Sequence, residues 1–520
     1  MRLALLYALL SILFNSTTLA GSCEESIAPK LAQTYYVWVR PPYQTKSNPS
    51  GDLEPVYRNL IARLQPGGIL VGDSDQTNGK SLDQLGVFTD QLKSLYQTES
   101  LPPLVGADYL SVYKNDLHFS DEFQNLGFGT HLRNDASTSL FKLSGDIVKT
   151  CLTIVSEIKA IAHRIVGINH PLGPIVEEQI DKDLPMAPEA NKNSKLLTIK
   201  LQDRGLIPTL KHFPFLVKNK DPHHGLSSSN LSQSVAEKLQ ENFLVNTKKD
   251  YVVMTTHVSS PQIDGGNIVT FSKQWIGELR KKLTDTNLIM TDGLFMLGTY
   301  PKQIAQVSEH SSEVITTYFL PRKKKVYKPY NYSQDPCFKA LKSLMRKYRN
   351  TLPLDLRKEA VEEYKKSSPE LESRCSNVIE DYLSFIQPDF DPDEAEKIGT
   401  DVITGFVEKS LLAGHDLVIL EGYPNVAEAA HHQLIKKACS PTGALFKDKI
   451  EAAALRIQRF KQRNMAPLKE RATQEWINTH RSELDELFFE VYPAINNPKT
   501  LCHENSINKA RSLIRDLCRE

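Results

Sequence analysis

The stretch KHFPFLVKNKDPHHG, Lys211 to Gly225, gathers titratable groups where an apolar run gives out. Lys211 and His212 close the run, and Asp221-Pro222-His223 follows in a polar loop. A histidine gives and takes protons near neutral pH. An aspartate two residues away can fix its tautomer and stabilise the imidazolium. Other apolar runs end the same way: Asp108 after PPLVGA, Asn169 in VGIN, His257 after YVVMTT, Asp292 after LIMT and Glu421 after LVIL. One polar strand end means little, since every strand must end in something. A whole set of carboxylates, histidines, a lysine and an asparagine suits a polyhydroxylated substrate. Such chemistry calls for no metal and no organic cofactor.

The elements that would carry these residues are legible in the hydropathy pattern. Short apolar runs fall at Tyr35–Val39, Gly68–Gly72, Pro102–Leu110, Val166–Glu178, Leu206–Phe215, Asp250–Val258, Asn287–Met296 and His415–Tyr423. Helical spacing lies between them, as at Leu82, Leu85, Phe88, Leu92 and Leu95. The runs are continuously apolar, as parallel strands covered on both faces are. The pattern predicts an α/β chain folded as a (β/α)8 TIM-type barrel, whose active site lies at the C-terminal strand ends. An open doubly wound sheet is the competing arrangement. The rhythm breaks at residues 297–396, which are charged, lysine-rich and helical in pattern. These are expected to form a large helical insertion between strands seven and eight. Its basic run, Pro321–Tyr332, reads as a solvated face or as a contact for a polyanion. The expected organisation is a leader at 1–20, the first part of the barrel at 21–296, the insertion at 297–396, the last strand and helix at 397–460, and a helical extension at 461–520.

Arg2, the apolar run Leu3–Phe14 and the small residues up to Ala20 have the form of a secretory signal peptide cleaved after Ala20. The protein is therefore expected to be exported, to a periplasm or to the outside, with lipid attachment at Cys23 as the minor alternative. No later segment is apolar enough to span a membrane. Export permits disulfides. The seven cysteines show no CxxC spacing, and Cys502–Cys518 and Cys337–Cys375 are the candidate pairs. Asn230-Leu231-Ser232 and Asn331-Tyr332-Ser333 match the glycosylation pattern, which matters only in a eukaryotic host. The net charge of +1 gives no reason to expect a nucleic-acid partner.

Longer stretches add a resemblance. VMTTHVSSPQIDGGNIVTFSKQWIGELRKKL (Val253–Leu283) leading into LIMTDGLFM (Leu288–Met296) resembles glycoside hydrolase family 3, in its β-N-acetylglucosaminidase branch. GINHPLGPIVE (Gly167–Glu177) is similar to that branch's Gly-Ile-Asn…Phe-Ala-Pro-Val-Asp segment. The stretches Gly67–Leu95 and Ser410–Gly422 resemble its second and eighth strands. The ordered likeness runs from about residue 35 to 296 and resumes from about 397 to 460. The branch carries Lys-His-Phe-Pro-Gly-His-Gly, four residues, then Asp-x-His. Lys211–Pro214 and Asp221–His223 match its two halves. The resemblance implies that Asp292 is the nucleophile and that His223, oriented by Asp221, is the general acid/base. It further implies that Lys211, His212 and Asp108 bind sugar, with Asn169 and His257 as further strand-end contacts. Retaining glycosidases need one nucleophile and one group that first donates and then removes a proton. A neutral imidazole also avoids a second carboxylate beside the nucleophile.

Four departures qualify the resemblance. Phe215-Leu216-Val217 stands where the branch has Gly-His-Gly, and the loop is one residue shorter. The Asp-Gln-Glu-Gly-Gly-Arg segment reads Asp108-Tyr109-Leu110-Ser111-Val112-Tyr113, with Lys114 a displaced cation. A second arginine segment has no counterpart between Asp181 and Leu201. Ser-Asp-Asp-Leu reads Thr291-Asp292-Gly293-Leu294. The leading expectation is an exported, retaining β-N-acetylhexosaminidase-like hydrolase acting on aminosugar glycans such as peptidoglycan fragments or chitin oligomers. The alternative is a catalytically degenerate barrel that binds glycan or serves as a scaffold. The insertion is the candidate surface for a partner protein or wall polymer.

Overall fold

A computed structural model of the chain describes most of residues 23–296 and 392–517. Residues 1–22, 297–391 and 518–520 lie outside the described residues, as do shorter stretches that contain Asp108, Lys114, Asp221, His223 and Glu421. The expectations for the leader, the insertion and Asn331 fall there too.

Eight parallel strands match the eight apolar runs. They are β1 (Tyr35–Val39), β2 (Gly68–Val71), β3 (Leu104–Ala107), β4 (His170–Pro171), β5 (Thr209–Phe213), β6 (Val252–Thr255), β7 (Leu288–Met290) and β8 (Val418–Leu420). One parallel sheet runs in the order β8-β1-β2-β3-β4, and another in the order β7-β6-β5. Hydrogen bonds join the two sheets at both seams. Ile207 N–H donates to Asn169 O at 2.9 Å and Thr209 N–H to Gly173 O at 3.0 Å. At the other seam Thr291 N–H donates to Leu417 O at 3.0 Å and Asp416 N–H to Ile289 O at 2.8 Å.

The strands are apolar throughout because both faces are covered. Successive side chains alternate between faces. Tyr36, Leu70, Leu104, Leu172, Ile207, Val252, Met254, Leu288, Met290 and Ile419 share one buried cluster, drawn from or beside all eight strands. Their neighbours Tyr35, Val37, Ile69, Val105 and Val418 pack in a second cluster with the surrounding helices. Those helices include α1 (Gly145–Val166), α3 (Pro392–Ala413), α4 (Pro424–Ala438), α5 (Ala444–Asn464) and α6 (Glu504–Leu517), whereas α2 (Lys273–Lys282) packs in a third cluster with Phe213 and Phe215.

Tyr36 explains two glycines. A Cβ at Gly68 would lie 2.3 Å from its ring, and one at Gly106 would lie 2.0 Å from its hydroxyl. Tyr36 Oη reaches His170 Nδ1 at 2.8 Å, and His170 Nε2 reaches Thr209 Oγ1 at 2.6 Å. Burial holds His170 neutral by pushing its pKa down to about 3.

Helix α5 is tied to the N-terminal end of the strands. Ile457 and Phe460, with Met465 just beyond the helix, join the cluster between the strands. Asn464 Nδ2 donates to Asp250 Oδ2 at 3.0 Å, and Lys461 Nζ to Gln33 Oε1 at 3.0 Å. Asp416, fully buried, accepts from Arg456 Nε at 2.6 Å and from Ile289 N–H at 2.8 Å, and is paired with Arg280. The C-terminal segment is also part of the core: Phe488, Ile507, Ala510 and Leu517 belong to the same cluster as β1 and α1.

Cys23 is bonded to Cys439 across 416 residues of sequence. Cys151 is disulfide-bonded as well, with a partner outside the described residues. The candidate pairs Cys502–Cys518 and Cys337–Cys375 lie outside the described residues. No described helix is long and apolar enough to cross a membrane.

Candidate active site

Lys211 and His212 lie near the C-terminal end of β5, and Asp292 lies two residues beyond β7. Strand β6 pairs with both. Behind β5, Phe213 and Phe215 pack against Trp275 of α2, with ring centroids 6.1 and 6.4 Å apart. Helix α2 is started by Ser272, whose Oγ accepts from Trp275 N–H at 3.0 Å. Its buried residues Trp275, Ile276 and Leu279 form one face. This packing anchors the strand that presents Lys211 and His212. Lys211 is 3% exposed. The Lys211–His212 and Phe213–Pro214 peptides are cis.

His212 stands between two carboxylates. Its Nε2 lies 3.8 Å from Asp292 Oδ2 and its Nδ1 lies 3.4 Å from Glu177 Oε1. Glu177 Oε2 also accepts from the His212 backbone N–H at 2.9 Å. The Glu177 side chain is fully buried, whereas those of His212 and Asp292 keep 18% and 15% of their surface. The two side chains facing each other therefore reach solvent, and the third does not.

Asp292 is held on its backbone. Its N–H donates to Thr255 O at 3.1 Å, and its Oδ1 accepts from Gly293 N–H at 2.8 Å. One residue on, Gly293 O accepts from His257 Nε2 at 2.8 Å. His257 Nδ1 meets Thr270 Oγ1 at 2.9 Å. A carbonyl can only accept, so the Nε2 of His257 carries a hydrogen.

The sequence-predicted residues thus divide three ways. His212 and Asp292 come together at the C-terminal strand ends, and Lys211 precedes His212 on β5. His257 is fully buried with both ring nitrogens bonded inside the protein, so it supports the Asp292 loop and is closed to a sugar. Asn169 does not join them. Its Oδ1 accepts from Val105 N–H at 2.8 Å and its Nδ2 donates to Pro103 O at 3.3 Å, which places it where β3 begins. Asp108, Asp221 and His223 lie outside the described residues. The sequence reading missed Glu177. Its signal was present, since Glu177 falls where the similar family segment ends in aspartate. Among the described residues no group of three or more His, Cys, Asp or Glu is placed to share a metal ion.

No family model matches the sequence, and no curated protein matches it. Solved structures do. A fungal multi-domain glycoside hydrolase family 3 β-N-acetylglucosaminidase is similar with a TM-score of 0.51 and 12% identity, over 94% of this chain and 42% of that one. This chain shares the fold of glycoside hydrolase family 3. It thus spans less than half of that multi-domain protein. A β-N-acetylhexosaminidase from Beutenbergia cavernae gives a TM-score of 0.49 and 12% identity, over 84% of this chain and 98% of that one. A family 3 β-N-acetylglucosaminidase from Paenibacillus gives 0.47 and 15%, over 89% and 68%.

Proposed function

We propose that the chain is an exported, retaining glycoside hydrolase of family 3 type that acts on β-linked aminosugar glycans. The eight strands form a closed (β/α)8 barrel in this reading. It is supported by the hydrogen bonds at both sheet seams and by the one interior cluster that draws on every strand. The observation that carries the functional reading is the meeting of His212 and Asp292 at the C-terminal strand ends, where such barrels keep their chemistry.

Asp292 attacks the anomeric carbon and forms a glycosyl-enzyme ester. His223, oriented by Asp221, protonates the leaving oxygen and then takes a proton from the water that opens the ester. Lys211, His212 and Asp108 bind sugar hydroxyls. Peptidoglycan fragments and chitin oligomers fit this chemistry. The Cys23–Cys439 disulfide supports an oxidising compartment.

A second reading has its own observation. The arginines of the family's two sugar-binding segments are missing between Asp108 and Lys114 and between Asp181 and Leu201. That favours a barrel that binds glycan without cleaving it, since a fold outlives its chemistry. Release of chromophore from an aryl β-N-acetylglucosaminide decides between them. Turnover that falls at least about 10³-fold in both Asp292→Ala and His223→Ala is the expected result. A silent wild-type protein on this substrate, on its deacetylated form and on peptidoglycan fragments would establish the binding role instead.

A further inference from the structure

We infer that Glu177 is a positioning residue that sets the tautomer of His212, with the hydrogen on Nδ1 and the lone pair on Nε2. The consequence for catalysis rests on the reading of Asp292 as nucleophile; the tautomer itself does not.

Three observations carry it. Glu177 holds His212 at two points, through the backbone N–H at 2.9 Å and opposite Nδ1 at 3.4 Å. Its carboxylate is shut off from solvent, so it is a fixed acceptor that cannot turn away to water. Nδ1 is itself buried and makes no hydrogen bond, and Glu177 Oε1 lies opposite it at 3.4 Å. A neutral imidazole has one N–H and one lone pair. A lone pair buried against a carboxylate oxygen is repelled, whereas an N–H there is attracted. The hydrogen therefore belongs on Nδ1.

That choice decides what Asp292 sees. With the lone pair on Nε2, the 3.8 Å gap to Asp292 Oδ2 holds no hydrogen bond. Asp292 keeps its electron pair for attack, and Nε2 is left to accept from a hydroxyl of the substrate. With the hydrogen on Nε2, its partial positive charge would face Asp292 Oδ2 across the 3.8 Å gap and damp the nucleophile, and Nε2 could no longer accept from a hydroxyl. The reverse tautomer thus harms both binding and attack, and Glu177 prevents it.

The test is Glu177→Gln, which keeps the shape and an oxygen for the His212 N–H but turns an amide NH₂ toward Nδ1. Nitrogen NMR of the ¹⁵N-histidine-labelled full chain at alkaline pH reads the tautomer directly. The His212 signals are assigned by their loss in His212→Gln. The expected result is hydrogen on Nδ1 in the wild type and on Nε2 in Glu177→Gln, with kcat/KM on the aryl glycoside lowered about 100-fold. Hydrogen on Nε2 in the wild type overturns the inference, as does an unchanged tautomer in the variant. If Glu177→Gln fails to fold, the wild-type tautomer alone decides. Nδ1–H in a wild type that cleaves nothing would uphold Glu177's role and sink the hydrolase reading, so the two fail separately.

Discussion

His257 shows what a buried polar residue does at the scale of one side chain. It holds Gly293 O with one nitrogen and Thr270 with the other, directly beside Asp292. Replacing it by leucine would take the His257 partner from the buried Gly293 O, whereas Thr270 Oγ1 keeps its bond to Thr256 O at 3.1 Å. An orphaned buried carbonyl costs about 1–3 kcal/mol. We expect His257→Leu to lose roughly that much stability in urea unfolding, and to lower kcat more than KM because the Asp292 loop is no longer fixed. An unchanged urea midpoint would mean that the imidazole hydrogen bonds contribute nothing. At this scale the sequence was a partial guide. Asp292, Lys211 and His212 stood out as polar ends of apolar runs. Glu177 did not, because its role depends on a neighbour 35 positions away. Asn169 stood out for the same reason as Asp292, yet it bonds to the start of β3.

At the scale of elements, β1, β2 and β3 are matched through one large side chain. Tyr36 fills the interior only because Gly68 and Gly106 leave room for it. Gly106→Ala would push a methyl group into the Tyr36 hydroxyl and break its bond to His170. Overpacking of this kind costs about 1–3 kcal/mol. Adding Tyr36→Phe removes the clashing oxygen, so the double variant should regain part of the loss. A double variant that is less stable than Gly106→Ala would show that the clash is relieved elsewhere. The apolar runs Gly68–Gly72 and Pro102–Leu110 were visible in the sequence as buried strands. The reason for Gly68 and Gly106 was not, since the tyrosine that needs the space belongs to another strand.

For the whole molecule, acid sensitivity follows from buried neutral histidines. Burial lowers the pKa of His163 and His170 to about 3, and that of His415 and His431 to about 4. All four lie below the value of about 6.5 expected in the unfolded chain. The unfolded state therefore binds more protons as pH falls below about 6.5, and stability drops until the folded pKa values are reached. Each histidine contributes a slope of up to about 1.4 kcal/mol per pH unit in that window. Urea midpoints should fall steadily from pH 7 toward pH 4.5. A flat profile would show that these rings are not held neutral inside the fold. Lys159 and Lys461, lowered by burial to about 7, act between that value and the ordinary lysine range, with stability again falling as pH drops through it.

The sequence by itself determined the eight strands, their parallel and doubly covered character, and the polar residues at the ends of β5 and β7. Those features are local: an apolar run of four or five residues bounded by polar ones has few other ways to be buried. The tertiary structure decided which strands meet at the seams and that helix α5 joins the interior cluster. It also brought Cys23 to Cys439 and placed His212 between Asp292 and Glu177. These depend on contacts between residues far apart in the chain, and a contact of that kind is chosen by the shape of the packed whole, which no single stretch of sequence contains.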